Sequence, residues 1–208
     1  MAPYQTYNKL IAQKVIKELQ SRNIDGFYFD IREEALKKVL EIIPEGSSVS
    51  WGGSVTLNET GLIDSLKNSG YNLLDPNAVQ GGQAKDKIAH QALNADYYLM
   101  STNAISATGE LVNLDGIGNR VSALSFGPKN VIIIAGINKI EHDLDSAILR
   151  AKTKVAPLVV LSYGKGEISS YEELLKEAQA AYSQVVITTK SIFKDRIKVI
   201  LIGESLGF

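Results

Sequence analysis

Residues able to do chemistry crowd into one stretch of this chain. Between Ser101 and Ile140 the sequence sets Asn103, Thr108, Glu110, Asn113, Asp115, Asn119, Arg120 and Lys139 among short apolar runs, and Gly109, Gly116, Gly118, Gly127 and Gly136 break those runs. Polar groups fixed at strand ends by glycine turns are how an α/β protein builds a ligand site. Asp115 closes the run Leu111-Val112-Asn113-Leu114 just ahead of Gly116. A carboxylate there could act as a general base beside a carbonyl substrate. Equally, Asp115 and Asn113 could shape a tight turn through side-chain to backbone bonds. Arg120 could fork onto a substrate carboxylate, or pair with Asp115 or Glu110. Lys139 follows the apolar run 131–135 through Gly136-Ile137-Asn138. It could hold an anion or, once desolvated, act in catalysis; a lysine in a loop also reads as a plain surface charge.

A second motif stands earlier, where Trp51-Gly52-Gly53-Ser54-Val55-Thr56 follows a strand signal and opens a helix. Glycines at such a junction let backbone N–H groups close on an anion, and Ser54 and Thr56 could add hydroxyl donors. The pattern matches neither the P-loop nor the dinucleotide GxGxxG. Thr56 and Glu59 have capping-box spacing, so they could instead satisfy the first N–H groups of their own helix. The candidate ligand residues are therefore Gly52, Gly53, Ser54, Thr56, Ser101, Asn103, Asn113, Asn119, Arg120 and Lys139, with Asp115 and Glu59 as candidate bases.

Composition narrows the chemistry. The formal net charge of −1 leaves no footprint for nucleic acid or an anionic membrane. Cysteine is absent, which excludes disulfides, thiolate nucleophiles, zinc–thiolate sites and a cysteine-ligated iron–sulfur cluster of the chain's own. His90 and His142 lie far apart, so no transition-metal site is expected; a hard-cation site of carboxylates and carbonyls stays open. The N-terminus carries no apolar signal-like core, and the longest apolar run, 131–137, is too short to span a bilayer. A cytoplasmic protein with no evident cofactor is expected.

The elements that must position these residues alternate. Helical periodicity at 4–20, with Tyr7, Ile11, Val15 and Leu19 every four residues, precedes a strand at 27–30 and a helix at 33–43. A strand at 47–51, a helix at 55–68, a strand at 71–74, a helix at 84–93 and a strand at 97–100 follow. Further strands are expected at 104–107, 111–114, 131–135, 158–161, 184–189 and 197–202, with helices at 141–152 and 171–182. Alternating strands and helices imply an α/β fold, a mostly parallel Rossmann-like sheet with helices on both faces. With no linker-like stretch or internal repeat, residues 1–208 are expected to form one domain.

Taken together, Gly-Gly-Ser-Val-Thr-Leu-Asn-Glu-Thr-Gly-Leu at 52–62, Ser-Thr-Asn-Ala-Ile-Ser-Ala-Thr-Gly-Glu-Leu-Val-Asn at 101–113 and Gly-Asn-Arg-Val-Ser-Ala-Leu at 118–124 resemble the LUD domain, the lactate-utilisation family. The segments 126–140 and 202–207 extend the match. The resemblance implies a fold similar to ribose-5-phosphate isomerase and the CoA transferases. In such folds the first glycine-rich turn commonly receives a phosphate or carboxylate, here Gly52 to Thr56, and the nearest counterpart of their acid–base residue is Asp115. It also implies lactate oxidation, with iron–sulfur segments in some members. This chain departs there, since residues 151–190 hold no cysteine, and a partner would have to handle the electrons.

The leading expectation is a LUD-domain protein that binds a small anionic metabolite, an organic acid or sugar phosphate, as an accessory subunit in lactate or related acid utilisation. A cofactor-independent isomerase or acyl/CoA transferase is the enzymatic alternative, and a ligand sensor or assembly module the non-catalytic one. Self-association and a redox partner subunit are both left open.

Overall fold

Residues 131–135 and 199–202 are apolar without interruption, and both stretches lie in interior strands of a sheet. A strand buried on both faces has no polar side to show. The computed structural model describes residues 3–164 and 167–208. Its first half runs α1 (Pro3–Ser21), β1 (Asp25–Phe29), α2 (Arg32–Ile42), β2 (Ser48–Trp51), α3 (Val55–Glu59), α4 (Leu62–Lys67), β3 (Asn72–Leu74), α5 (Gly82–Ala92) and β4 (Tyr97–Met100). Then come β5 (Ala104–Ser106), β6 (Leu111–Asp115), α6 (Asn119–Ser125), β7 (Asn130–Gly136), a 3₁₀ turn (Ile137–Lys139) and β8 (Ile140–Glu141). The chain continues with α7 (Leu144–Arg150), a π-helical turn (Ala151–Val155), α8 (Ala156–Ser162), α9 (Tyr171–Ala180), β9 (Gln184–Thr188) and β10 (Ile197–Ile202).

Six strands form one sheet in the order β1-β10-β7-β4-β2-β3, and every pairing is parallel. The alternation of side chains along β7 divides the core. Val131, Ile133 and Ala135 pack with Ala12, Val15 and Leu19 of α1 and with Leu124 of α6. Ile132 and Ile134 point the other way, onto Val39 of α2, Leu57 of α3 and Leu66 of α4. Helices therefore cover both faces, as the alternating pattern implies.

A smaller sheet, β8-β5-β6-β9, stands apart from the first and contains the antiparallel pairs β5–β6 and β6–β9. One side of it, through Ile105 and Leu111, joins the main core. The other side, through Ala104, Val112 and Leu114, packs beneath Ala147, Ala151, Ala156 and Ala178. Small residues at that contact let the rod formed by α7, the π turn and α8 lie close over the sheet.

Three local expectations need correction. The apolar run 158–161 is not a strand but the middle of α8. Pro157 occupies its first turn, where a missing N–H costs nothing, and packing of the rod overrides the β-branched residues' strand preference. The helix expected over 55–68 is two helices, α3 and α4, divided at Gly61, which takes φ 69°. The helix expected from residue 141 starts at Leu144, because Asp143 caps it by accepting from the Ser146 N–H at 2.8 Å. Ser170 caps α9, accepting from Glu173 N–H at 3.1 Å.

Candidate functional site

The carboxyl ends of β2, β4 and β7 lie side by side in the large sheet, and the segments leaving them meet. In open α/β sheets ligands bind outside the carboxyl ends of the strands. Gly52 to Ser54 leave β2, Ser101 to Asn103 leave β4, and the 3₁₀ turn after β7 carries Lys139 back toward both. Between them lies a cavity of about 560 Å³. Gly53, Ser54, Thr56, Ser101, Asn103, Asp115, Asn119, Arg120 and Lys139 all line it. The two motifs thus share one cavity. Gly52, Asn113 and Glu59 are outside its lining and support it from behind.

The turn after β2 presents its backbone to this space. Ser54 is the N-cap of α3, its hydroxyl accepting from Leu57 N–H at 3.3 Å. The N–H groups of Gly53, Ser54, Val55 and Thr56 have no acceptor among the described residues. The capping box suggested by Thr56 and Glu59 is not formed. Thr56 instead directs its hydroxyl to Leu206 O at 3.4 Å, and Glu59 Oε2 accepts from Gly207 N–H at 2.7 Å. Both residues fasten the C-terminal segment across the mouth of α3. Gly207 has φ 60°, and a Cβ there would collide with Thr56 Oγ1, so only glycine allows that close approach.

Arg120 serves the wall of the cavity. Its Nη1 donates to Asn113 Oδ1 at 2.7 Å and Ser101 O at 3.2 Å, and its Nη2 to Asn103 Oδ1 at 3.1 Å and Leu114 O at 2.5 Å. Its Nε lies 3.6 Å from Asp115 Oδ2. One guanidinium therefore ties together the exits of β4 and β6, and its fork is spent on the protein. Burial lowers its pKa, while the Asp115 carboxylate acts in the opposite direction. Gly52 makes the strut possible: a Cβ there would stand 2.9 Å from Arg120 Cδ and 3.1 Å from the Tyr98 hydroxyl.

Asp115 is similarly committed. Its Oδ1 accepts from Gly118 N–H at 2.8 Å and its Oδ2 from Val121 N–H at 3.3 Å, beside Arg120. These bonds make the tight turn into α6 that the Asp-Gly-Ile-Gly spelling offers. Of the two candidate bases, one thus shapes a turn and the other holds Gly207. Glu110 pairs with Arg22 rather than Arg120.

Lys139 is different. It is only 4% exposed, and its Nζ donates to Ser101 Oγ at 3.0 Å. Among the described residues no carboxylate forms an ion pair with it. Desolvation, with the Arg150 and Arg120 guanidiniums nearby, pulls its pKa from 10.5 down to about 7, against a smaller upward pull from Glu59. A lysine so placed gains from any anion that enters the cavity, and at neutral pH it holds or gives up a proton with equal ease.

The remaining wall was not read from the sequence. Val155, Val159, Ser162 and Tyr163 close the cavity from the π turn and α8. The i, i+4 spacing of Val155 and Val159 was the available signal, hidden by reading the run 158–161 as a strand. Thr102, buried and bonded through Oγ1 to Ala104 O and Val112 O, adds to the exit of β4. His90 and His142 stand outside the lining. Among the described residues no three His, Asp or Glu side chains gather as a metal would require, and no helix is long and apolar enough to cross a membrane. With no cysteine to supply thiolates, the residues do not fit an iron–sulfur cluster.

A profile of the LUD domain matches residues 12–202, nearly the whole chain. The chain belongs to the LUD domain family. Its fold is similar to the crystal structure of a DUF162 family protein from Deinococcus radiodurans, at 12% identity and a TM-score of 0.57, covering 94% of this chain and 98% of that one. A weaker likeness, TM-score 0.34 at 18% identity, covers 53% of this chain and 48% of eIF2B delta from Chaetomium thermophilum. No curated protein matches the chain. The shared α/β architecture of the LUD domain is thereby established, and the ligand is a matter for the cavity's own chemistry.

Proposed function

We propose that this LUD-domain protein binds a small anionic metabolite, an organic acid or sugar phosphate, in the cavity between Gly53–Thr56 and Ser101–Lys139. Acting in the cytoplasm, it would serve as a ligand-binding subunit in lactate or related acid utilisation, beside a partner that carries electrons. One observation supports this reading above all: the Lys139 ammonium and the N–H groups of the Gly53–Thr56 turn face the same cavity, and among the described residues neither the ammonium has a carboxylate partner nor the N–H groups an acceptor. An anion seated there would meet a cation and free donors that water serves poorly in a confined space. Arg120 and Asp115 would hold the geometry rather than touch the ligand through their charges.

The test is calorimetric titration with lactate, pyruvate and a panel of phosphosugars on the parent and on Lys139→Met. Loss of a charged hydrogen bond of about 1.5–3 kcal/mol predicts affinity roughly 10- to 100-fold weaker in the variant. Equal affinity in both proteins, or no binding across the panel, would remove this reading.

A further inference from the structure

The Lys139 Nζ is an amine at the wall of a cavity, buried, without an ion-paired carboxylate among the described residues, and hydrogen-bonded to the Ser101 hydroxyl at 3.0 Å. An amine held this way is a nucleophile when it has shed its proton. We propose that Lys139 captures a short carbonyl compound bearing an anionic group, typified by a 2-oxo acid, as a covalent imine in this cavity. The inference rests on the anion-binding reading and deepens it by naming the bond that forms.

The step balances without an oxidant or reductant. The neutral Nζ adds its lone pair to the carbonyl carbon, and the carbonyl oxygen takes a proton to give a carbinolamine. Loss of that hydroxyl as water, with transfer of the nitrogen's proton, leaves a C=N bond: amine plus carbonyl becomes imine plus water. Ser101 is placed to carry the proton between nitrogen and oxygen, because its hydroxyl already accepts from Nζ and also lines the cavity. Burial disfavours the ammonium most, the nearby Arg150 and Arg120 guanidiniums add to that, and Glu59 is the acidic group acting against them. The depressed proton affinity of Lys139 that results fits a nucleophile at neutral pH.

The experiment incubates the full chain at pH 7 with pyruvate, with glyceraldehyde 3-phosphate and, as a hydroxy acid lacking a carbonyl, with lactate, each under borohydride reduction. Reduction turns an imine into a stable secondary amine, read by intact mass and peptide mapping. The expected result is one equivalent of adduct on Lys139 with a carbonyl probe and none with lactate. The more reactive of the two carbonyl probes separates an oxo acid from a sugar phosphate as the ligand source. Ser101→Ala slows adduct formation by an order of magnitude or more, and Lys139→Arg abolishes it. Mapping on the parent protein decides the matter even if a variant does not fold. Adduct confined to surface lysines overturns the imine. If lactate and pyruvate bind by calorimetry while Lys139 stays unlabelled, the imine falls and the anion site stands. If no acid or phosphosugar of the panel binds and Lys139 is unlabelled, both fall.

Discussion

Replacing Lys139 by methionine should make the protein more stable, and by an amount that depends on pH. In the folded chain the ammonium's pKa is about 7 against 10.5 for an unburied lysine. A shift of that size corresponds to a ceiling of about 5 kcal/mol, at 1.36 kcal/mol per unit. The sign follows from where the proton binds better, which is the unfolded chain. The penalty is full below pH 7, where the folded state must hold a buried cation, and it fades as pH rises from about 7 toward 10.5. At pH 7 half the buried amines are already neutral, which trims the ceiling to about 4 kcal/mol. Methionine has a similar length and fills irregular space well, but it leaves Ser101 without its partner, a loss of about 1 kcal/mol. The expected gain at pH 7 is therefore about 2–3 kcal/mol, or roughly 5–10 °C in Tm for a chain of this size. Denaturant midpoints of parent and variant at pH 6, 7, 8 and 9 read it. The gap should be widest at pH 6 and narrow steadily above pH 7. A variant no more stable than the parent at pH 6, or a gap that does not change with pH, would refute the reasoning.

Two other substitutions probe the walls. Arg120→Ala should destabilise by about 3–5 kcal/mol, because Asp115 keeps a buried carboxylate without its partner and two carbonyls and two amide oxygens lose a donor; urea denaturation measures it, and a loss below about 1 kcal/mol would mean the strut is dispensable. Val159→Trp places an indole in the cavity from the α8 side; thermal melting should stay within a few degrees of the parent while ligand binding by calorimetry is lost, and retained binding would put the ligand elsewhere.

Much of the architecture was legible because burial leaves a plain record in side chains. The 131–135 and 199–202 runs are apolar on both faces, as a strand sandwiched between helices requires. The small sheet was less legible. Its members 104–107, 111–114 and 184–189 read as strands, but their antiparallel pairing joins segments some seventy residues apart, as Val112 with Ile187, and period-2 spelling says nothing of the partner. Run 158–161 misled because Val159 and Val160 favour strands locally, whereas the π turn and α7 continue straight into it.

In the site, the meeting of the two motifs was inferable from where strand ends must fall in a parallel sheet. The division of labour within it was not. Arg120 reads as a ligand-binding fork in the sequence, yet its acceptors Ser101 and Asn103 at the exit of β4 and Asn113 and Leu114 in β6 are brought around it only by the fold. Lys139 reads as a surface charge because its neighbours are loop residues. Its burial comes instead from Ser101 and Gly207, the latter close enough that a Cβ there would lie 3.4 Å from Nζ.

The most direct measurement is the titration of Lys139 itself, followed by NMR of its ε-carbon in the free protein and with the tightest ligand of the panel. A midpoint near 7 is expected in the free chain, raised when a non-covalent anion such as lactate occupies the cavity. A midpoint near the ordinary lysine value, unmoved by ligand, would contradict a desolvated Lys139 at the wall of an anion site.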